Sequence, residues 1–231
     1  RCRVPHACLL ESRGGAWLFV LEDLDASGFP GRHSRLSDEQ TRACLSWLAY
    51  FHAEFLGTEP RGLWEVGTYW HLATRPEELR VMRDERLRAA APLLDERLNS
   101  ARYQTLVHGD AKVANFCFGR DAAQVAAVDF QYVGGGVGVK DLAYFLSSCL
   151  DENDCLQEAE RWVGEYFRLL REAVVERRPE TDVDELEREW RALYPVAWAD
   201  FVRFLVGWAP EHYKIHGYSK QLTEAVLTDL A

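Results

Sequence analysis

Residues 105–130 read Thr105-Leu-Val-His108-Gly109-Asp110-Ala-Lys112-Val-Ala-Asn115-Phe-Cys-Phe118-Gly119-Arg-Asp-Ala-Ala-Gln-Val125-Ala-Ala-Val128-Asp129-Phe130. The apolar stretches 116–118 and 125–128 flank a five-residue turn, 119–123, and predict a short β-hairpin. In the simplest register its midpoint falls at residue 122, so Asn115 and Asp129 face one another at the open end. One brings an amide oxygen and the other a carboxylate, both hard ligands suited to Mg²⁺. Asp110, five residues before Asn115 in a loop, faces the same point. Two hard-oxygen ligands beside a separate carboxylate suit phosphoryl transfer. The metal neutralises nucleotide phosphates while the extra carboxylate orients the acceptor hydroxyl and takes its proton. An isolated His-Gly-Asp or Asp-Phe is weak evidence; together at this spacing they are specific.

Outward from this segment, most of the chain reads as helix, with four to six short strands. Upstream, Ala16-Trp-Leu-Phe-Val-Leu21 follows the turn signal Arg13-Gly14-Gly15 and predicts a buried strand, which runs into a Gly/Pro/Ser-rich loop over 27–35. Ser37-Asp-Glu-Gln40 is a capping box that starts a helix. Cys44, Leu45, Leu48, Phe51 and Phe55 form one apolar stripe on it, and Gly57 supplies its stop. His52 borders the stripe; it reads first as a hydrogen-bonded core histidine and second as a ligand or catalytic group. Residues 76–100 predict helix with a break around Ala91-Pro92. Downstream, residues 156–176 and 183–208 predict long helices, the second with a kink at Pro195 and a core stripe of Trp190, Leu193, Ala197, Phe201, Phe204, Leu205 and Trp208. The run Val133-Gly-Gly-Gly-Val-Gly138 lacks the strand, helix and Lys-Ser/Thr of a P-loop and reads as a flexible loop beside the metal site.

Composition removes several classes of function. The 231 residues are 48% hydrophobic and 28% charged, which suits one large globular domain or two small ones. With 37 acidic against 27 basic residues the formal charge is −10, which excludes a surface built to neutralise nucleic-acid phosphates. No run approaches a membrane span and the opening Arg1-Cys-Arg-Val-Pro5 lacks a signal-peptide core, so no membrane partner is expected. Cys2, Cys8, Cys44, Cys117, Cys149 and Cys155 form no metal-ligand ladder and read as reduced core thiols, which makes a cytoplasmic location the default.

The segments His108-Gly-Asp-Ala-Lys-Val-Ala-Asn115 and Val128-Asp-Phe-Gln131 resemble the catalytic core of the aminoglycoside phosphotransferase and choline kinase-like superfamily, most closely its ecdysteroid kinase-like branch. Leu21-Glu-Asp-Leu24 resembles the interlobe hinge, Leu48-Ala-Tyr-Phe-His52-Ala the helix after it, and Lys140-Asp-Leu-Ala-Tyr-Phe-Leu146 the helix after the metal-binding loop. The match is specific from about residue 16 to 150. The resemblance implies an α+β fold: a protein-kinase-like C-terminal lobe, mostly helical, with a short β-hairpin at the catalytic loop. It implies that Asp110 is the catalytic base and that Asn115 and Asp129 hold Mg²⁺. Backbone groups near Glu22 and Leu24 would bind the adenine of ATP. Asp141 would anchor the catalytic loop, or simply complement the helix dipole at its N-terminal position. His108 would hold the loop in shape, and Lys112 would steady the transferred phosphate.

The resemblance also implies an N-terminal lobe ahead of the hinge, with a phosphate-covering loop, a strand lysine and a helix glutamate. The fifteen residues before Ala16 have room for about one strand. The expectation is therefore a residual N-lobe strand and hinge over 1–25, followed by a helical lobe over 26–231. For this chain alone it implies weak ATP binding and slow turnover, since loss of one charge-clamp donor costs roughly 3 kcal/mol or more. The leading reading is an ATP- and Mg²⁺-dependent phosphotransferase acting on a small-molecule hydroxyl, with Trp198, Asp200, Trp208, His212 and Tyr213 as candidates to line the acceptor site. The net acidity is compatible with a cationic acceptor, and the late aromatics with a flat apolar alcohol. The rival is a non-catalytic, pseudokinase-like binding module. A metal-dependent hydrolase needs more ligands than Asn115 and Asp129 supply. The sequence specifies no oligomeric state.

Overall fold

The first long helix starts where the sequence caps it. In the computed structural model, which describes residues 2–230, Gln40 N donates to the Ser37 hydroxyl and Ser37 N donates to Gln40 Oε1. Helix α1 then spans Asp38–Glu54. Its burial is wider than one stripe: Trp47, Ala49 and Tyr50 join Cys44, Leu45, Leu48 and Phe51 in the core, while Phe55 lies past the helix end and is half-buried. The reason is that α1 has neighbours on several sides, chiefly the strands that carry the central loop and a later long helix.

Two hairpins and a third strand pair flank this helix. Strands β1 (Ala7–Arg13) and β2 (Ala16–Leu21) pair antiparallel, with Leu10 opposite Phe19, across a turn at Gly14 and Gly15. The expected buried strand is corrected here: every residue of β2 is exposed, Trp17 and Phe19 included. The apolar run does form a strand, but among the described residues it has β1 as its one partner strand and no layer packed over its faces. Strand β3 (Thr105–Val107) pairs with β6 (Gly134–Gly136), and β4 (Phe116–Phe118) with β5 (Val125–Ala127), both antiparallel. The glycine run is thus a paired strand rather than a flexible loop. Its side must be bare because a Cβ on Gly134 would stand 2.3 Å from the Trp64 carbonyl oxygen.

Helices supply the rest. Residues 76–99 form α2 (Pro76–Val81) and α3 (Glu85–Asn99), and the interruption falls at 82–84, where the Asp84 carboxylate caps α3 by accepting from Leu87 N at 2.9 Å. The break expected at Ala91-Pro92 does not occur. Pro92 removes one donor, but buried Ala91 and Leu94 on either side hold the helix against its neighbour, so tertiary packing overrides the local penalty. Helices α4 (Val139–Cys149), α5 (Glu152–Arg177) and α6 (Val183–Trp208) follow, with Pro195 inside α6. The α6 stripe is core as expected, except that Trp208 is exposed. The last helix, α7 (Gly217–Asp229), was not anticipated; its cap is the His216 ring, which accepts from Ser219 N. Helices α1, α3, α4, α5, α6 and α7 surround one large apolar cluster, with β3 and the β4–β5 hairpin at its edge. No disulfide links the six cysteines; Cys44, Cys117 and Cys155 are buried, Cys2 and Cys149 half-buried, and Cys8 exposed, the last departing from a core role. No helix among the described residues is long and apolar enough to cross a membrane.

Candidate active site

The loop after β3 is held from below by one buried carboxylate. Asp141, in the first turn of α4, accepts from His108 N at 2.6 Å and Gly109 N at 2.9 Å. It also meets His52 Nε2 at 3.1 Å, and His52 Nδ1 meets the Tyr166 hydroxyl at 2.8 Å. Because the carboxylate only accepts, Nε2 of His52 is the donor and Nδ1 accepts from the phenol. His52 is thus a hydrogen-bonded core histidine. Burial pushes the Asp141 carboxyl up, but the His52 bond, the nearby imidazoles and the Gly109 amide outweigh it and hold the group below the usual carboxylate range.

His108 ties the two halves of the site together. Its Nε2 donates to the Val128 carbonyl at 2.9 Å, and its Nδ1 accepts from Asp110 N at 3.3 Å. Burial pushes its pKa down, so the neutral ring with this tautomer is favoured. Between His108 and Asp110 the backbone turns through φ +81° at Gly109, where a Cβ would stand 2.2 Å from the Tyr132 carbonyl oxygen. Both the dihedral and the close approach exclude any larger residue.

Asp110 is buried and only half satisfied. Its Oδ2 accepts from Lys112 Nζ at 2.7 Å and from Asn115 Nδ2 at 3.0 Å, and Asn115 Nδ2 also donates to the Asp110 carbonyl at 2.8 Å. Its Oδ1 is buried with no hydrogen-bond partner. The Tyr144 phenol approaches the carboxylate without satisfying that oxygen; burial, Tyr69 and Asp110 together hold Tyr144 far above its usual pKa. An unpartnered buried carboxylate oxygen is costly and marks a place where a donor belongs.

The register of the β4–β5 hairpin corrects the expected pairing. Phe116 lies opposite Ala127, and Val128 N donates to the Asn115 carbonyl at 2.9 Å, so Asn115 faces Val128 rather than Asp129. Gly119 N closes the turn on the Gln124 carbonyl at 2.9 Å, which sets the pairing one residue off the expected register. Asp129 follows with φ +67°, exposed, and interacts electrostatically with His108. With Nδ2 engaged, Asn115 keeps Oδ1 without a hydrogen bond among the described residues. The donor set fits Mg²⁺ in part: an amide oxygen and a carboxylate are hard ligands, but no three His, Cys, Asp or Glu side chains cluster as a closed site among the described residues. Such a pair holds Mg²⁺ together with phosphate oxygens, not alone.

The segment around Glu22 and Leu24 runs alongside. The Glu22 carboxylate pairs with Arg3 and accepts from His6 N at 2.8 Å; the Arg3 bond, with help from Ser27 and the His6 amide, lowers its pKa to about 2. Glu22 N is bound to the His6 carbonyl and the Leu24 carbonyl to Phe29 N, which leaves Glu22 O and Leu24 N without partners among the described residues. The Leu24 side chain is buried against Cys117 and Ala126 of the hairpin.

A cavity of about 410 Å³ opens beside Asp110, lined by Lys112, Tyr144, Phe201, Trp208, Tyr213 and Lys214 among others. It includes the expected Trp208, His212 and Tyr213 but not the other two candidates. Trp198 is fully buried, packed against Tyr218, and the Asp200 carboxylate is taken up by Arg203 at 2.8 Å and Trp70 Nε1 at 3.0 Å. Sequence reasoning missed Tyr69, Tyr144 and Lys214. These come from separate segments, and no local pattern distinguishes them from core residues.

Residues 68–177 match the family model described as the ecdysteroid kinase-like family. No curated protein matches the chain. Among solved structures, an amicoumacin kinase in complex with AMP-PNP, Ca²⁺ and Ami is similar with a TM-score of 0.60 at 14% identity, over 99% of this chain and 72% of that one. The microcompartment-associated aminopropanol kinase gives a TM-score of 0.56 at 14% identity, over 99% and 77%. The α+β kinase-like fold and the superfamily resemblance read from the sequence are borne out by these matches.

Proposed function

We propose that the protein is an ATP- and Mg²⁺-dependent phosphotransferase acting on a hydroxyl of a small molecule. The observation that carries this reading is Asp110 Oδ1, a buried acceptor without a donor beside an open cavity. An acceptor hydroxyl bonded there is oriented for attack, and its proton has a place to go as the oxygen attacks phosphorus. Asn115 Oδ1 and the Asp129 carboxylate would hold Mg²⁺, which neutralises nucleotide phosphates when bound. Lys112, now on Asp110 Oδ2, would steady the transferred phosphate. Glu22 O and Leu24 N are the free backbone acceptor and donor that an adenine edge needs. His108 and Asp141 keep the loop in this shape. In this reading residues 1–25 form the hinge side and 26–231 the helical lobe, and the place of action is the cytoplasm.

The test is calorimetric titration with ATP, with and without Mg²⁺, on the wild type and on Asp129→Ala. Binding that needs Mg²⁺ and is lost in the variant is the expected result. Failure to bind at about millimolar ATP, a standard free energy near −4 kcal/mol, favours the non-catalytic binding module instead. That rival has its own support in the exposed apolar residues of β2.

A further inference from the structure

Lys214 is a charged group of the acceptor cavity that the proposed chemistry leaves unused. It is 5% exposed, and its Nζ donates to the Ser147 hydroxyl at 3.2 Å. The ammonium lies 4.6 Å from the centre of the Tyr144 ring, 5.4 Å from Phe201 and 6.0 Å from Tyr213. Among the described residues no carboxylate lies within ion-pair distance of it, and no Asp or Glu lines this cavity, although Asp110 lies just beyond its wall. A nearly buried ammonium has three donors, and aromatic faces compensate its lost hydration only in part. Its burial is costly unless an anion completes it.

We propose that Lys214 is a specificity-determining residue for the phosphotransferase reading above, on which the inference rests. It seats the carboxylate of an acceptor alcohol whose flat apolar body lies in the aromatic-lined cavity beside it. Lys112 also faces the cavity but is paired with Asp110 at 2.7 Å, so Lys214 is the cation without an ion-pair partner among the described residues, and a cationic acceptor would meet its repulsion. The faces of Tyr144 and Phe201 are already occupied by Lys214 itself. The overall charge of −10 is therefore a poor guide to the acceptor, because the cavity itself is lined by two lysines and, among the described residues, by no Asp or Glu. A neighbouring groove is lined by five carboxylates: Asp38 and Glu158 pair with Arg161, Asp151 pairs with Arg35, Glu152 accepts from Gly217 N, and Asp154 is exposed, where solvent screens it. Burial pulls the Lys214 ammonium down to about 8, opposed by Cys149 and Asp110, so it remains a cation at neutral pH. The cavity size suits a compact ring compound.

The test uses two probes of one shape and opposite charge, 4-(hydroxymethyl)benzoate and 4-(hydroxymethyl)benzylamine, titrated at neutral pH without nucleotide. The wild type is expected to bind the benzoate at least about tenfold more tightly, and Lys214→Met to bring the two within about twofold. Equal or tighter binding of the benzylamine by the wild type overturns the proposal, whether or not the variant folds. So does a benzoate preference that survives in a folded Lys214→Met, and so does failure of both probes to bind. Mg²⁺-dependent ATP binding is measured on the same samples. If it persists while the charge preference is absent, the acceptor class is wrong and the phosphotransferase reading stands; if it is absent, that reading fails by itself.

Discussion

Replacing Asp141 by Asn keeps the shape of the side chain and removes its charge at the point where the central loop is anchored. In the wild type its two oxygens accept from His108 N, Gly109 N and His52 Nε2, all within 3.1 Å and all buried. An Asn has one acceptor oxygen, and its amide would point a donor at a donor. At least one charge-assisted bond is lost, about 1.5–3 kcal/mol, and one backbone N–H is left buried and unpaired, about 1–3 kcal/mol. The expected loss is about 3–5 kcal/mol. With a urea m-value near 3 kcal/mol/M, the upper part of the usual range as suits a chain of this size, the unfolding midpoint falls by about 1–2 M. Urea titration followed by far-UV circular dichroism at neutral pH reads this shift. The folded pKa of Asp141 is lowered, so its stabilisation is complete above the unfolded value near 3.9 and is lost as pH falls through the folded value. The gap between wild type and variant should therefore narrow below about pH 4. A variant whose midpoint at neutral pH lies within about 0.3 M of the wild type would refute the anchoring argument.

Three further outcomes are expected. Gly138→Ala places a Cβ 2.4 Å from Trp190 Cζ3 and 2.7 Å from His52 Nδ1. Both neighbours are buried, so thermal unfolding should show a loss of about 1–3 kcal/mol from overpacking. Asp200→Asn breaks the buried pair with Arg203 and strands a guanidinium whose Nη1 already lacks a partner, which should cost about 3–5 kcal/mol in urea titration. The lowered pKa of His108 means that the unfolded chain takes up its proton first. Stability should then fall as pH drops below about 6.5 towards the folded value, and the slope of melting temperature against pH should be shallower in His108→Gln. His71, His212 and His216 are shifted in the same direction, so the comparison with the variant is what isolates His108.

Much of this was legible one residue at a time. The capping box at Ser37 and Gln40 set the start of α1, and the apolar periodicity of 183–208 gave both ends of α6, because these are signals between residues close in the chain. The motif spacing brought Asp110, Asn115 and His108 to one loop, where hydrogen bonds over five residues or fewer connect them. Local signals failed where a distant neighbour decides. Pro92 looked like a break, but packing across α3 holds the helix; the glycine run looked flexible, but β3 pairs with it; the apolar run of β2 looked buried, but no described layer covers it. Hairpin register failed by one residue because the turn closes at Gln124, a difference of one hydrogen bond that alternation alone cannot resolve.

The sequence by itself determined the helical lobe, the hairpin and the chemical character of the central loop, since these follow from hydrophobic period, capping and the short-range spacing of polar groups. Only the tertiary structure decided that His52 and Asp141, 89 residues apart, meet under that loop. It alone also decided that Lys214, in the turn between α6 and α7, enters a cavity walled by Tyr144 of α4 and Phe201 of α6. Contacts at that separation are fixed by how helices pack, and packing depends on the shape of the whole core, which no local stretch of the chain encodes.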